Sequence, residues 1–314
     1  MAIERVCVVG AGVIGSLYAG HLTHVAEVSI LTRRGEHARK LVEAGLRISG
    51  KSEFTAKVFA TADPDELHDA DLVIVATKAT QLEEAAGALA GRFPKATVMT
   101  IQNGLGAEEL VRTHGEWPLI SAVTFMSGVR HDDAHVEYEL DTETWLGPFA
   151  GTATHELAQE IEALLEAGGL HARAFPDLRP AQWSKLIFNA TVNTVAALTN
   201  LPHVSAFAAR REDFDLGNLV HDLMDEGKAV AAAAGVELYE DPWEMNVEAC
   251  RRGETLAAEG HYAHVPSMLE DVRAGRATEV DFITGALVRE AARHDVPVPL
   301  HMAMYRLVRA RECA

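Results

Sequence analysis

Cysteine is scarce in this chain of 314 residues: Cys7, Cys250 and Cys313 are the whole set, and none stands in C-x-x-C spacing. An odd, widely spaced set gives no disulfide framework, so the chain reads as a reduced, cytoplasmic protein. Positive charge is also short, with 28 Lys plus Arg against 46 Asp plus Glu and a net charge of −18 at pH 7. That deficit argues against nucleic acid or an anionic membrane as a partner, and leaves any anionic ligand to a few local cations. No apolar run approaches the ~18 residues that a membrane helix needs. The first such run comes after Glu4-Arg5 and is broken by three glycines, which suits a first β-strand better than a signal peptide. Internal repeats and low-complexity tracts are missing, and the 15 histidines are scattered. Their one tempting i,i+4 pair, His131 and His135 beside Asp132-Asp133, reads as solvated residues of a loop between strands, so no metal is expected.

Present, by contrast, is enough chain for about two domains, each able to bury its own core. Up to about residue 150, short β-branched runs alternate with amphipathic stretches, as in Glu27-Val28-Ser29-Ile30-Leu31, Asp71-Leu72-Val73-Ile74-Val75-Ala76 and Thr97-Val98-Met99-Thr100-Ile101. Such alternation predicts βαβ units and a parallel sheet covered on both faces. A helix over about 154–167 and a strand over about 170–175 complete this part. After Pro176-Asp177 strand-like runs vanish, and Ala-, Leu- and Glu-rich segments of helical spacing take over. The expected architecture is therefore an α/β dinucleotide-binding domain of Rossmann type over residues 1–177, then an all-α domain over 178–314.

The dinucleotide expectation rests on Val6-Cys7-Val8-Val9 running into Gly10-Ala11-Gly12-Val13-Ile14-Gly15 and then into a helical pattern. In that strand–turn–helix order Gly10 allows the tight turn, Gly12 admits a pyrophosphate to the backbone, and Gly15 lets the helix lie close to the strand. The phosphates sit on the free N–H groups of the helix, where its dipole favours negative charge. The second strand ends in Leu31-Thr32-Arg33-Arg34, with no acid before Glu36. A carboxylate there would hold the ribose hydroxyls of NAD and repel a 2′-phosphate, whereas the Arg33 guanidinium binds one; NADPH is favoured over NADH. Two more loops fall at strand ends, where ligands of such sheets bind: Thr77-Lys78-Ala79 and Gln102-Asn103-Gly104-Leu105-Gly106.

In the second domain Lys185, Asn189 and Asn193 are spaced i, i+4, i+8 within an otherwise apolar helical segment. They form one stripe, and polar groups embedded in a core need partners that a bound substrate can supply. Ser267 stands three residues before Glu270 as in a capping box, and Glu279 stands where an acid suits the first turn of a helix; each has that structural reading beside any functional one. Alanine-rich helices near 228–234 and 286–292 could pack within the domain or across a dimer, so a monomer or a homodimer is expected.

Taken together, these motifs resemble the ketopantoate reductase (2-dehydropantoate 2-reductase) family over nearly the whole chain. The shared elements are the Gly10–Gly15 turn, the Thr77 and Gln102 loops, Trp183-Ser184-Lys185-Leu186 with Asn189 and Asn193, Pro266-Ser267-Met268-Leu269-Glu270-Asp271, and Thr278-Glu279-Val280-Asp281. The resemblance implies NADPH-dependent reduction of a small 2-oxo acid, ketopantoate, to its 2-hydroxy acid. It implies Lys185 as general acid and Glu279 as the group that orients it, balances its charge and contacts substrate and cofactor. It further implies Asn189, Asn193 and Ser267 at the substrate, Asn103 between substrate and cofactor, Lys78 beside the cofactor, and Glu226 near the catalytic lysine. Where many members carry Asn and Ser ahead of the Ser267 position this chain has His264 and Pro266, and where they carry Ile-Asn-Gly it has Ile283-Thr284-Gly285. The first change alters shape and hydrogen bonding beside the implied substrate pocket, which bears on the choice of 2-oxo acid rather than on the reaction class.

Overall fold

The structure is a computed structural model and describes residues 3–211, 213–258 and 265–312. The chain divides into two compact units, one of residues 1–102 and 107–178, the other of 103–106 and 179–314.

In the first unit the apolar runs are strands buried on both faces, which is why they read as continuous rather than alternating. The order is β1 (Arg5–Val9), α1 (Val13–Leu22), β2 (Glu27–Leu31), α2 (Gly35–Ala44), β3 (Leu46–Gly50), β4 (Phe54–Ala56), β5 (Phe59–Thr61) and β6 (Leu72–Val75). Next come α3 (Leu82–Leu89), β7 (Thr97–Thr100), α4 (Ala107–Arg112), β8 (Leu119–Thr124), β9 (Ser127–Asp132), β10 (His135–Leu140), β11 (Thr144–Pro148), α5 (His155–Ala167) and β12 (Ala172–Ala174). Eight strands form the main sheet in the order β12-β11-β8-β7-β6-β1-β2-β5. The chain leaves β1 for β2 on one side and later returns to β6 on the other, so the sheet reverses direction of winding between β1 and β6; ligands bind at the carboxyl ends of such a switch point.

Two features depart from the expected parallel sheet. The strand β11 runs antiparallel to β8, so the sheet is mixed. A second sheet, β4-β3-β10-β9, joins β3 in parallel to β10 across some ninety residues and closes with the β9–β10 hairpin. It explains why Gly15 through Leu22 of α1 are all buried: Leu17 and Tyr18 share one core with strands of both sheets, among them Val8, Ile30, Ile48 and Tyr138. A helix covered on two sides is apolar all round.

The second unit is helical: α6 (Arg179–Thr199), α7 (Asp215–Ala233), α8 (Pro242–Ala258), α9 (Ser267–Arg273), α10 (Thr284–Arg293) and α11 (Pro299–Glu312). The long helix α6 is its axis, with each of the other five packed on it. Its Leu186, Ile187, Ala190, Val195 and Ala196 share a core with Leu223, Met224, Leu269, Val280 and Leu287. Gly227 lets α7 pass close to α6, since a Cβ there would lie 2.5 Å from Cγ2 of Ile187. Among the described residues no helix is long and apolar enough to cross a membrane.

Candidate active site

The glycine turn comes directly after β1, as its sequence order requires. Gly10 donates its N–H to the Leu31 carbonyl (2.9 Å) and has φ +101°, the left-handed region that favours glycine. A Cβ on Gly15 would sit 1.9 Å from the Gly10 carbonyl oxygen, so Gly15 lets α1 close onto the turn. Gly12 is different: its φ of −74° suits any residue, and nothing lies within 4 Å of an added Cβ. Neither backbone strain nor protein packing calls for glycine there, and the backbone at Gly12 is left open to close approach. The first intrahelical bond runs from Ser16 N–H to Gly12 O, no side chain caps the helix and no acid stands in its first turn. The N–H groups of Val13, Ile14 and Gly15 are therefore outside the helical ladder and fit a dinucleotide pyrophosphate. Ala11 is buried in the core below the turn.

Beyond β2, Arg33 is exposed while Arg34 is committed to Asp133 at 2.5 Å, with Lys40 also reaching that carboxylate at 3.7 Å. Only the first of the adjacent arginines is thus left outside that cluster. Beyond β6, Lys78 is half-buried and precedes a short 3-10 turn over Ala79–Gln81. Gln102 has a structural task that its loop position does not announce. Its buried side chain donates to the carbonyls of Val75 (2.8 Å) and Thr77 (3.0 Å) and so ties the end of β7 to the loop that carries Lys78. An amide after an apolar strand gives no signal in sequence until its carbonyl partners are known.

In the second unit Lys185 lies on α6 and is only 5 % exposed, among Leu186, Ile187 and their partners. Burial lowers its ammonium from the ordinary lysine value to about 7, and the charge of Glu279 opposes that fall. Asn189, one turn on, donates Nδ2–H to Oδ1 of Asn103 at 3.3 Å, and Asn193 is buried a turn further. Asn103 comes after β7 in sequence yet packs with the helical unit. Its neighbour Gly104 (φ +98°) would place a Cβ 1.9 Å from the Phe282 carbonyl, which accepts from Leu105 N–H at 3.1 Å. The structure so gathers Lys185, Asn189, Asn103 and the Glu279 turn about α6.

Several expectations are corrected. Glu279 is not in the first turn of a helix: residues 276–283 are irregular, and α10 begins at Thr284 with no acid in its first turn. The carbonyl of Glu279 instead accepts from Phe282 and Ile283 N–H (both 3.0 Å), closing a tight turn, and the residue is 6 % exposed. Nor is Ser267 a cap. Pro266 occupies the N-cap of α9, no side chain bonds there, and Ser267 is an exposed first-turn residue. Glu226 is engaged by the start of α11, accepting from Leu300 N–H (2.9 Å) and His301 N–H (3.0 Å) and approaching His301 Nδ1 (3.1 Å). Although burial opposes it, those donors hold its carboxyl below the usual range. That makes it an anchor for the first turn of α11. His131 and His135 end and begin the strands of a hairpin, bonded to Glu137 (2.7 Å) and Ser49 (2.8 Å) respectively. Among the described residues no group of three or more His, Cys, Asp or Glu could hold a metal ion. His264 lies outside the described residues.

A mostly parallel sheet with a glycine turn at its switch point, joined to a helical unit, defines a dinucleotide-binding oxidoreductase class. Comparison with known proteins narrows the class. Residues 6–151 match the profile described as ketopantoate reductase PanE/ApbA, and residues 177–312 that of its C-terminal domain. The chain is 29 % identical over 312 residues to the 2-dehydropantoate 2-reductase of Archaeoglobus fulgidus, covering 99 % of both chains. It is 30 % identical over 310 residues to that of Halobacterium salinarum, covering 97 % of this chain and 98 % of the relative. The crystal structure of a PanE/ApbA family ketopantoate reductase from Ralstonia eutropha superposes with a TM-score of 0.83 at 28 % identity over 99 % of each chain. The chain belongs to the ketopantoate reductase family, oxidoreductases that act on a CH–OH group with a nicotinamide dinucleotide and a small-molecule substrate.

Proposed function

We propose that this protein reduces ketopantoate to pantoate with NADPH, as a cytoplasmic monomer or homodimer, with residues 1–177 holding the dinucleotide and 178–314 handling the substrate. The observation that carries the reading is the buried Lys185 on α6, with Glu279 acting on its charge and an amide one turn away.

A bound reduced nicotinamide supplies hydride to the C2 carbonyl carbon of the substrate. The chain's part is electrostatic and positional. As charge grows on the carbonyl oxygen, the Lys185 ammonium stabilises it and then transfers its proton there, leaving a neutral amine that water reprotonates. An alkoxide is far more basic than an amine, so the transfer runs downhill, and a value of about 7 rather than the ordinary 10.5 makes Lys185 the stronger acid for it near neutral pH. Glu279 keeps the ammonium populated, since without a counter-charge a desolvated lysine would be neutral. Asn189, Asn193, Ser267 and Asn103 are assigned to the substrate's carboxylate and hydroxyl groups, a positioning task that can be worth several kcal/mol of barrier. Gly10 to Gly15 cradle the pyrophosphate, Arg33 takes the 2′-phosphate, and Lys78, Asn103 and Glu279 complete the cofactor's surroundings.

A second reading keeps the chemistry and changes the substrate. Pro266 is buried at the N-cap of α9, beside the residue assigned to the substrate, and a rigid imino acid there reshapes the pocket wall toward another branched 2-oxo acid. NADPH oxidation at 340 nm with ketopantoate, with a panel of other 2-oxo acids, with NADH and with Lys185→Ala tests both. Fast turnover of ketopantoate by NADPH supports the first reading; preference for another 2-oxo acid supports the second. Activity retained in Lys185→Ala removes the general acid from either.

A further inference from the structure

Glu279 stands in an irregular turn rather than on a helix or strand, so intrahelical hydrogen bonds do not set its position. Its flanking residues are tied to one element. The Oε1 of Glu312, on the last turn of α11, accepts both the backbone N–H of Thr278 (2.7 Å) and its hydroxyl (2.6 Å). The same hydroxyl oxygen accepts from Val280 N–H (3.2 Å), so Thr278 spans Glu279 from one side to the other. Two residues on, Asp281 accepts from the Tyr305 hydroxyl (2.6 Å) and from Nη1 of Arg309 (3.1 Å). Tyr305, Arg309 and Glu312 are spaced i, i+4, i+7 and so share one face of α11. Arg309 also reaches Oε2 of Glu312 at 3.5 Å, which orients the carboxylate that holds Thr278. Thr278 is buried and the Glu312 side chain is only 14 % exposed, so these bonds are sheltered from competing water.

We infer that Glu312 is a positioning residue: through Thr278 it fixes the turn that presents the Glu279 carboxylate to Lys185. This rests on the roles of Lys185 and Glu279 given under the proposed function. A misplacement of about 1 Å at a reacting group can cost on the order of 100-fold in rate, which is the scale on which such an anchor acts. The sequence offers no hint of it, because Glu312 and Thr278 are 34 positions apart.

The test compares Glu312→Ala and Glu312→Gln with the wild type. Because Oε1 acts only as an acceptor toward Thr278, glutamine can keep both bonds while losing the charge. In Glu312→Ala kcat is expected to fall about tenfold with the KM for NADPH within about twofold, and the basic limb of the pH profile to move to lower pH as Glu279 loses its hold on Lys185. Glu312→Gln is expected to stay within about threefold of wild type, a rescue that a purely charge-based role would not allow. Should Glu312→Ala fail to fold, Thr278→Val, which deletes the hydroxyl and keeps the volume and the N–H, replaces it with a smaller change in the same direction. A carbon-13 titration of the lysine Cε resonance assigned to Lys185 reads the same anchor without any substrate. It is expected to shift to lower pH in Glu312→Ala and not in Glu312→Gln. An unmoved titration curve and an unmoved kcat in the alanine variant overturn the proposal, as does equal damage by alanine and glutamine. A shifted titration in a protein that turns over no 2-oxo acid leaves the anchor standing and sinks the proposed function instead.

Discussion

In the proposed function the Gly10–Gly15 turn and the Glu279 turn both serve charge, and they are built in opposite ways. The first presents backbone: three N–H groups at the start of α1, uncapped and unopposed by acid, around a glycine with empty space beside it. The second presents side chains, an ammonium and a carboxylate, 5 % and 6 % exposed, in a core of leucine and isoleucine. A backbone site tolerates water, because amide dipoles cost little to leave solvated. A buried charged pair does not; its desolvation cost is several kcal/mol per ion and is offset only while geometry holds. The first site is accordingly made within six consecutive residues, whereas the second is assembled from α6, the 276–283 turn, the 103–106 loop and α11.

Substitutions probe the contrast between the two turns. The greatest effect is expected from Lys185→Ala, a loss in kcat of about 10³-fold or more with NADPH affinity within a few-fold, read by steady-state kinetics and by fluorescence titration of NADPH. A variant that loses cofactor affinity as much as kcat would erase the division between a backbone site and a side-chain site. Next comes the pair Gly15→Ala and Gly12→Ala. The first drives a Cβ to 1.9 Å from the Gly10 carbonyl and is expected to lower both Tm and NADPH affinity, the latter by roughly 100-fold; the second meets nothing within 4 Å and is expected to leave Tm in place while weakening NADPH about tenfold. Equal affinity losses with equal Tm losses would show that Gly12 serves the fold rather than the ligand.

The pH profile comes third. Burial lowers the Lys185 ammonium to about 7 while Glu279 pulls the other way, so the acid form is present below that pH and lost above it. Log kcat/KM for reduction should be flat on the acid side of about 7 and fall about one unit per pH unit beyond it, and Glu279→Gln should move the break to lower pH. A flat profile up to about pH 9 would remove Lys185 as the proton donor. The least change is expected of Arg33→Ala, an increase of about tenfold in the KM for NADPH with NADH unaltered. If both cofactors suffer alike, the exposed guanidinium does not read the 2′-phosphate.

Much of the first site is legible in sequence because its causes are local. A strand, three glycines and a helix in that order specify the turn, and the lack of an acid before Glu36 leaves Arg33 and Arg34 as the charged groups at the end of β2. The stripe of Lys185, Asn189 and Asn193 is legible for the same reason, since helical periodicity alone puts them on one side of α6. Where local rules mislead, a distant partner has taken over. Ser267 and Glu270 have capping-box spacing, yet Pro266, which has no side-chain donor or acceptor, takes the N-cap. Glu279 and Glu226 are both acids that the resemblance puts near Lys185, and only the folded structure shows one carboxylate acting on the charge of Lys185 and the other accepting from the first turn of α11. The sheet of β3, β4, β9 and β10 escapes a reading by pattern because β4 has three residues, β9 is largely exposed and polar, and its central pairing joins Arg47 to His135.

Neighbours within a few residues of one another suffice to set the class of each unit, the course of the main strands, the glycine turn with its helix, and the face of α6 that carries the lysine, so these are written in the chain itself. Packing at long range was needed to put Asn103 with the helical unit, to make Gln102 the support of the Lys78 loop, to assign Glu226 to α11, and to let Glu312 hold the turn of Glu279. Each of these is a hydrogen bond or burial between residues far apart in the chain, and its energy exists only once packing has removed the water that would otherwise satisfy both partners.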